Sequence, residues 1–362
     1  MFQLNKDSKI TFVRGAFLGD FLVCLPVIYK IISEYNIAYH NVNFIIFNES
    51  NTNPIKAIFG KNHPFTINTH IIHSKNIFTV ICSLKTIKGN TNSSILYLPM
   101  WGDSLKGQFL KFILLKYIYG ITKKVYGIFK LSKKYKDFNS QYLTPFYALG
   151  LNYNEDQRAV NLFNFDKKII ERNNNDLIIA IYPNSKLKMK IWSKEKYIDL
   201  IHNLLKQYKV KIYLVGSKED REYNEKILDL FSNINDDIIN LAGTLDIKNT
   251  LAFFKEIDLF IGNDGFPMHL AAMANSPIIG LFTYKNPLGC WDPIISNKMI
   301  TIRTDVSCKL CYLSECKNPV CITETKVENV LEAIDTILKD KNYIHEIKVI
   351  LPNRTLNKNI LC

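Results

Sequence analysis

No stretch of this chain approaches the roughly 20 consecutive apolar residues that a membrane span requires. The best run, residues 109–119, is broken by Lys111 and Lys116. Residues 1–14 hold neither an apolar h-region nor a small-residue cleavage site, so no secretory signal is expected and a cytoplasmic protein is. The nucleotide-cofactor fingerprint G-x-G-x-x-G is missing: between Arg14 and Gly19 only Gly15 and Gly19 are glycine, which argues against a dinucleotide-dependent oxidoreductase. No Asp-x-Asp pair stands in a suitable loop to hold a divalent cation on a phosphate. Negative charge is scarce, with 33 Asp and Glu against 46 Lys and Arg and a formal charge of +13. Such an excess suits anionic partners. The lysines are scattered, however, and no nucleic-acid-binding module is recognisable, so a purely anion-binding protein is the weaker reading and no nucleic acid is expected as partner.

What the chain does have is enough apolar material, 47% of 362 residues, for two ordinary domains. Its organising stretch is residues 258–282, an apolar run, the turn Gly262-Asn263-Asp264-Gly265, a short helix opened by Pro267, and a second apolar run after Ser276-Pro277. A strand feeding a glycine turn that opens a helix offers N–H groups and a positive dipole end to a phosphate. An ordinary buried βαβ unit is the alternative for this stretch taken alone.

The rest falls into place around it. Strands are expected at residues 9–14 and 43–47, with an apolar helix between them that starts late or kinks at Pro26. A second series begins at residue 177, with strands at 177–182 and 211–215, a helix over 193–208 capped by Ser193, a charged helix from Glu219, and a helix over 325–339. Strands alternating with helices in both halves predict an α/β protein of two doubly wound parallel sheets with a cleft between them. The expected division is residues 1–170, residues 171–340, and a tail, 341–362, packing back on the first domain.

Four segments, in order, resemble glycosyltransferase family 9, the heptosyltransferases of lipopolysaccharide core assembly. They are Arg14 with Leu18-Gly19-Asp20 and Pro26; Pro183 with Ser185, Lys190 and Trp192; Asn263-Asp264-Gly265 with Pro267-Met268-His269-Leu270-Ala271-Ala272; and Cys308, Cys311, Cys316 and Cys321. The chain departs from the family pattern in three places: Gly265 stands for a Thr or Ser, Phe266 for a small residue, and Thr283 for the glycine of an LFG segment. The resemblance implies the GT-B fold, two Rossmann-like domains facing across a cleft, the first binding acceptor and the second a nucleotide-sugar donor. It also implies transfer of a sugar, heptose from ADP-heptose above all, from a nucleotide-diphosphate donor to a lipid-linked saccharide, with inversion and without a cofactor or metal.

On this reading Asp20 is the catalytic base, an ionised carboxylate that takes the acceptor's proton, although an Asp there also suits a helix N-cap. Ser185, Lys190 and the amides around Gly265 and Phe266 bind the donor phosphates. Asp264 holds sugar hydroxyls and His269 donates to phosphate, although alone His269 reads as a packed structural histidine. Glu219 or Asp220, after Gly216 at a strand end, is placed for the nucleotide ribose. The cysteine cluster lacks the paired C-x2-C form of a zinc site and is expected to be structural, reduced or disulfide-linked. Lysines 106, 111, 116, 123 and 124 among aromatic and aliphatic residues could meet anionic lipid at the inner face of the cytoplasmic membrane, a buried helix with lysines reaching out being the plainer account.

Overall fold

Short runs of β-branched and aromatic residues, each closed by a turn and followed by an apolar helix, build two separate parallel sheets. A computed structural model of the chain describes residues 4–15, 18–47, 53–72, 77–90, 94–97, 125–126, 168–172, 176–231, 237–285, 293, 298–308, 311, 313, 315–339 and 346–350. The chain divides into two compact units, Met1–Gln157 and Arg158–Cys362.

The first unit runs β1 (Ile10–Gly15), α1 (Leu18–Glu34), β2 (Val42–Phe47), α2 (Pro54–Phe59), α3 (Pro64–Ile67), β3 (Thr69–Ile72), α4 (Ile77–Asn90), β4 (Ser94–Tyr97) and β5 (Val125–Tyr126). Its strands pair in parallel in the order 3-2-1-4-5. Phe12 stacks on Phe44 at 5.6 Å, while Phe21 and Phe65 meet the same ring edge-on at 5.7 and 5.2 Å. Helix α1 does not start late. It runs from Leu18, because burying Phe21, Leu22, Leu25, Ile28, Ile31 and Ile32 outweighs the roughly 3 kcal/mol that an interior proline costs.

The second unit runs β6 (Leu177–Tyr182), α5 (Lys194–Gln207), β7 (Val210–Leu214), α6 (Arg221–Leu228), β8 (Ile238–Asn240), α7 (Ile247–Glu256), β9 (Leu259–Asn263), α8 (Phe266–Met273), β10 (Ile278–Leu281), β11 (Met299–Thr304), α9 (Val320–Thr323), α10 (Val327–Lys339) and β12 (Glu346–Ile350). Its seven strands lie in the order 12-11-10-9-6-7-8, all parallel. One face packs Ile179, Ile181, Ile261 and Leu281 under α5, α6 and α10. Helices α7 and α8 cover the other, where Phe254 meets Phe260 at 5.5 Å and Phe253 meets Tyr213 at 5.2 Å. Buried on both faces, these strands read as near-continuous apolar runs, as parallel strands do.

Two boundaries differ from expectation. The second unit starts before residue 171 because Ile169 and Ile170 donate their N–H groups to the Glu256 carboxylate and Arg172 pairs with Asp258 at 2.6 Å. In the tail, β12 joins the outer edge of the second sheet beside β11, so this part of 341–362 belongs to the second unit. The basic segment 105–124 lies outside the described residues.

Candidate active site

In the second sheet the chain steps from β6 to β7 and β8, then lays β9 on the other flank of β6. The order reverses between β6 and β9, and in a doubly wound sheet the ligand crevice lies outside the carboxyl ends of such a pair. The first sheet reverses likewise between β1 and β4. Asp20 sits in the first turn of α1, directly after β1; its side chain lies outside the described residues.

Asn263 and Asp264 organise the β6–β9 crevice. The sequence reads Gly262-Asn263 as turn, yet both residues end β9, and Asn263 is fully buried. Its Oδ1 accepts hydrogen bonds from the Trp192 N–H and the Tyr197 hydroxyl, both at 3.1 Å, and its Nδ2 donates to the Asn184 carbonyl at 3.2 Å. One side chain thus ties down both ends of the loop after β6. Trp192, also fully buried, donates Nε1–H to the Thr325 carbonyl at 2.8 Å and meets Tyr197 edge-on at 4.9 Å. Ser193 caps α5 as expected, accepting from the Lys196 N–H.

Within that loop a 3₁₀ turn, Lys188–Lys190, carries Lys190 inward. Lys186 and Lys188 are exposed, but the Lys190 side chain retains only 14% of its exposure and donates Nζ–H to Asp264 Oδ2 at 2.5 Å, where Asp264 retains 8%. Burial pushes the Asp264 carboxyl upward, but the Lys190 charge, then His269, the Lys190 hydrogen bond and Arg303 more than offset it and hold the group below the usual carboxylate range. His269 is itself buried on α8. Gly265 caps α8 in an extended conformation. A Cβ there would stand 2.7 Å from Tyr182 Cε1, which is why the family's Thr or Ser cannot replace it unless that ring moves. Phe266, half-buried, is the first residue of α8. The helix therefore presents its positive end beside Lys190 and Asp264.

Ser185 lies in the same loop, where its Oγ accepts from the Leu187 N–H at 3.4 Å. Of the two acids after β7, Asp220 is held by Asn184 Nδ2 at 2.7 Å and by the Ser217 N–H and hydroxyl at 2.7 and 2.9 Å. Gly216 makes that turn at φ 154°. Glu219 stands exposed, its carboxyl lowered first by a hydrogen bond from Ser217 and then by its own backbone N–H. Both acids stand at the carboxyl edge of the sheet, Asp220 as part of its framework. The Tyr182 phenol is raised by burial and by the charges of Asp220 and Asp264.

Residue patterning marks neither Asn263 as the tie nor Arg303 or Lys285 as part of the site. Arg303 is buried in β11, donates to the Thr283 carbonyl at 3.0 Å and lies 4.4 Å from the Phe282 ring centroid. Among the cysteines, Cys308 is in a disulfide while Cys311, Cys316 and Cys321 are free thiols. Burial raises the Cys321 thiol, which accepts a hydrogen bond from the Tyr284 N–H. Among the described residues no group of three or more His, Cys, Asp or Glu is placed to hold a metal ion.

Two doubly wound parallel sheets, one in each unit, are the architecture of the GT-B class of α/β glycosyltransferases. The chain belongs to glycosyltransferase family 9 (heptosyltransferase), whose model matches residues 114–321. It is similar to lipopolysaccharide heptosyltransferase 1 of Campylobacter coli, 27% identical over 195 residues, a match covering 50% of this chain and 54% of that protein. The matched stretch thus spans about half the length of that curated relative. In fold it is similar to the E. coli ADP-heptose lps heptosyltransferase II, with a TM-score of 0.60 and 15% identity, covering 91% of this chain and 98% of that one. It is also similar to the iron-containing dodecameric glycosyltransferase TibC of enterotoxigenic E. coli H10407, with a TM-score of 0.54 and 12% identity, covering 93% and 80%.

Proposed function

We propose that the protein is an inverting glycosyltransferase that works without a metal, moving a sugar from a nucleotide-diphosphate donor to a lipopolysaccharide core or related envelope saccharide. ADP-heptose is the donor of choice, an assignment supported by the fold's likeness to the E. coli ADP-heptose lps heptosyltransferase II. The observation that carries the reading is the nearly buried Lys190–Asp264 pair at the positive end of α8, outside the switch point of the second sheet. Departure of a diphosphate needs a charge sink, and Lys190 with the first amides of α8, those of Gly265 and Phe266, supplies one. Ser185 adds a hydroxyl, His269 donates to phosphate, Asp264 holds sugar hydroxyls, and Glu219 meets the ribose.

In this mechanism Asp20 takes the proton of the acceptor hydroxyl as its oxygen attacks the anomeric carbon on the face opposite the diphosphate. The bond to the diphosphate oxygen breaks in the same displacement, so the sugar's configuration inverts. Transfer takes place in the cytoplasm, at the inner face of the membrane where a lipid-linked acceptor is presented. No helix among the described residues is long and apolar enough to cross a membrane.

A donor screen by nucleotide release, with and without extracted lipid-linked saccharide, tests the function. The expected outcome is release that needs both substrates, is strongest with ADP-heptose, and persists in EDTA. Release that vanishes in EDTA and returns with Mg²⁺ or Mn²⁺ would overturn the metal-free site; no release with any nucleotide sugar would overturn the function.

A further inference from the structure

The lysine-rich composition hides a second cation at this site. Leu281 ends β10 in register with Asn263, and its carbonyl accepts the Asp264 N–H at 3.1 Å, so the chain leaving β10 emerges beside the Asp264 loop. Two residues of that exit are fixed. Thr283 holds Arg303 through its carbonyl, Tyr284 is buried, and the Tyr284 N–H is taken by the Cys321 thiol. The next residue, Lys285, is half-buried, and its ammonium lies in the field of Lys190, Asp264 and Cys311. Burial and the Lys190 charge push its pKa down, more than Cys311 and Asp264 restore it. Among the described residues no carboxylate forms an ion pair with it.

Among the described residues, cations outnumber carboxylates around Asp264. Around the Asp264 carboxylate stand Lys190, Lys285 and Arg303, with His269 beside them. Lys190 neutralises Asp264 directly, and Arg303 is committed to the Thr283 carbonyl and the Phe282 ring. Lys285 is left as a partly desolvated cation held against a like charge, an arrangement that becomes favourable when an anion of charge about −2 enters.

We propose that Lys285 is a second phosphate-binding cation, working with Lys190 to grip a diphosphate from both sides of Asp264. This assignment rests on the nucleotide-diphosphate reading above and deepens it. Lys190 approaches from the β6 loop and Lys285 from the β10 exit, so the pair spans two phosphates where a single lysine would neutralise one.

The test is calorimetric titration of the full-length protein and its Lys285→Met and Lys285→Gln variants with ADP, inorganic pyrophosphate and adenosine. Far-UV circular dichroism checks the fold of each variant. Loss of one charge-assisted contact predicts a roughly ten- to hundredfold weaker affinity for ADP and pyrophosphate in both variants. Adenosine binding stays unchanged, and the salt dependence of the two anions becomes shallower. Lys285→Arg should recover most of the affinity. Anion affinities in both variants within twofold of wild type would overturn the assignment, as would failure of the wild type to bind either anion, an outcome that also removes the donor reading. A wild type that binds both anions but transfers no sugar would overturn the transferase reading while the Lys285 assignment stands.

Discussion

Lys190 and Asp264 stabilise each other where neither would be tolerated alone. Removing one partner of a nearly buried pair leaves an uncompensated charge, so Lys190→Met should destabilise the second unit by about 3 kcal/mol at neutral pH. The sign of its pH dependence follows from the Asp264 shift. In the wild type the folded carboxyl titrates below its ordinary value near 4, so its contribution is fully present above that value and is lost as pH falls through the lowered one. Without the ammonium, burial is opposed only by the smaller effects of His269 and Arg303, and the folded pKa rises. The deficit of Lys190→Met relative to wild type should therefore be largest near pH 7 and shrink towards pH 4. Urea titrations at both pH values measure it; a deficit equal at the two would mean that Lys190 acts through packing alone.

At the scale of the element, the loop between β6 and α5 is held at both ends by Asn263 and at its α5 end also by the Ser193 cap. The two anchors should separate on substitution. Asn263→Ala strands the Trp192 N–H and the Asn184 carbonyl, leaves the Tyr197 hydroxyl only the Tyr182 carbonyl at 3.3 Å, and should cost about 2–3 kcal/mol. Ser193→Ala should cost about 1 kcal/mol or less. Only Asn263→Ala should also weaken ADP binding, because it alone releases the segment that presents Lys190. Denaturant titration and calorimetry on both variants check this, and equal ADP affinities would remove Asn263 from the positioning of the loop. These elements also show what was legible in the sequence. Strands β6, β9 and β10 stood out as apolar runs bounded by turn residues, and Ser193 stood out as a cap. Asn263 did not, because an asparagine beside glycine carries the same signature in a turn as at a buried strand end, and only its partners from residues 184, 192 and 197 tell the two apart. Arg303 and Lys285 were hidden for a related reason: charge gives no periodic signal, and burial of a cation is decided by contacts far away in sequence.

For the molecule as a whole, the proposed base and the proposed phosphate cation belong to different compact units, the first built on β1 and the second on β6. Transfer should therefore be separable from donor binding by a single change. Asp20→Asn should fold and bind donor nearly as wild type, yet lose roughly two to four decades of turnover, the usual span for removal of a general base. Steady-state transfer assays beside donor titrations read this, and near-normal turnover would leave Asp20 only the role of a first-turn acid on α1. The two-sheet plan was legible because both halves alternate strands and helices. The exact division was not, since Glu256 and Asp258 draw residues 169–172 onto the second unit through contacts more than 80 residues apart in sequence.

The same long reach bears on how the protein is made. Strand β6 leaves the ribosome early in the second unit, but its flank towards the crevice is completed only by β9, and the Ile178 N–H awaits the Asp258 carboxylate 80 residues later. At about 5–20 residues per second, that interval is on the order of 4–16 s. During it β6 can pair on its β7 side alone, with the edge that β9 will take left unpaired. The second unit of the nascent chain thus passes through a half-sheet with one open edge, the stage at which it is most exposed to proteases and to pairing with its neighbours on the same message.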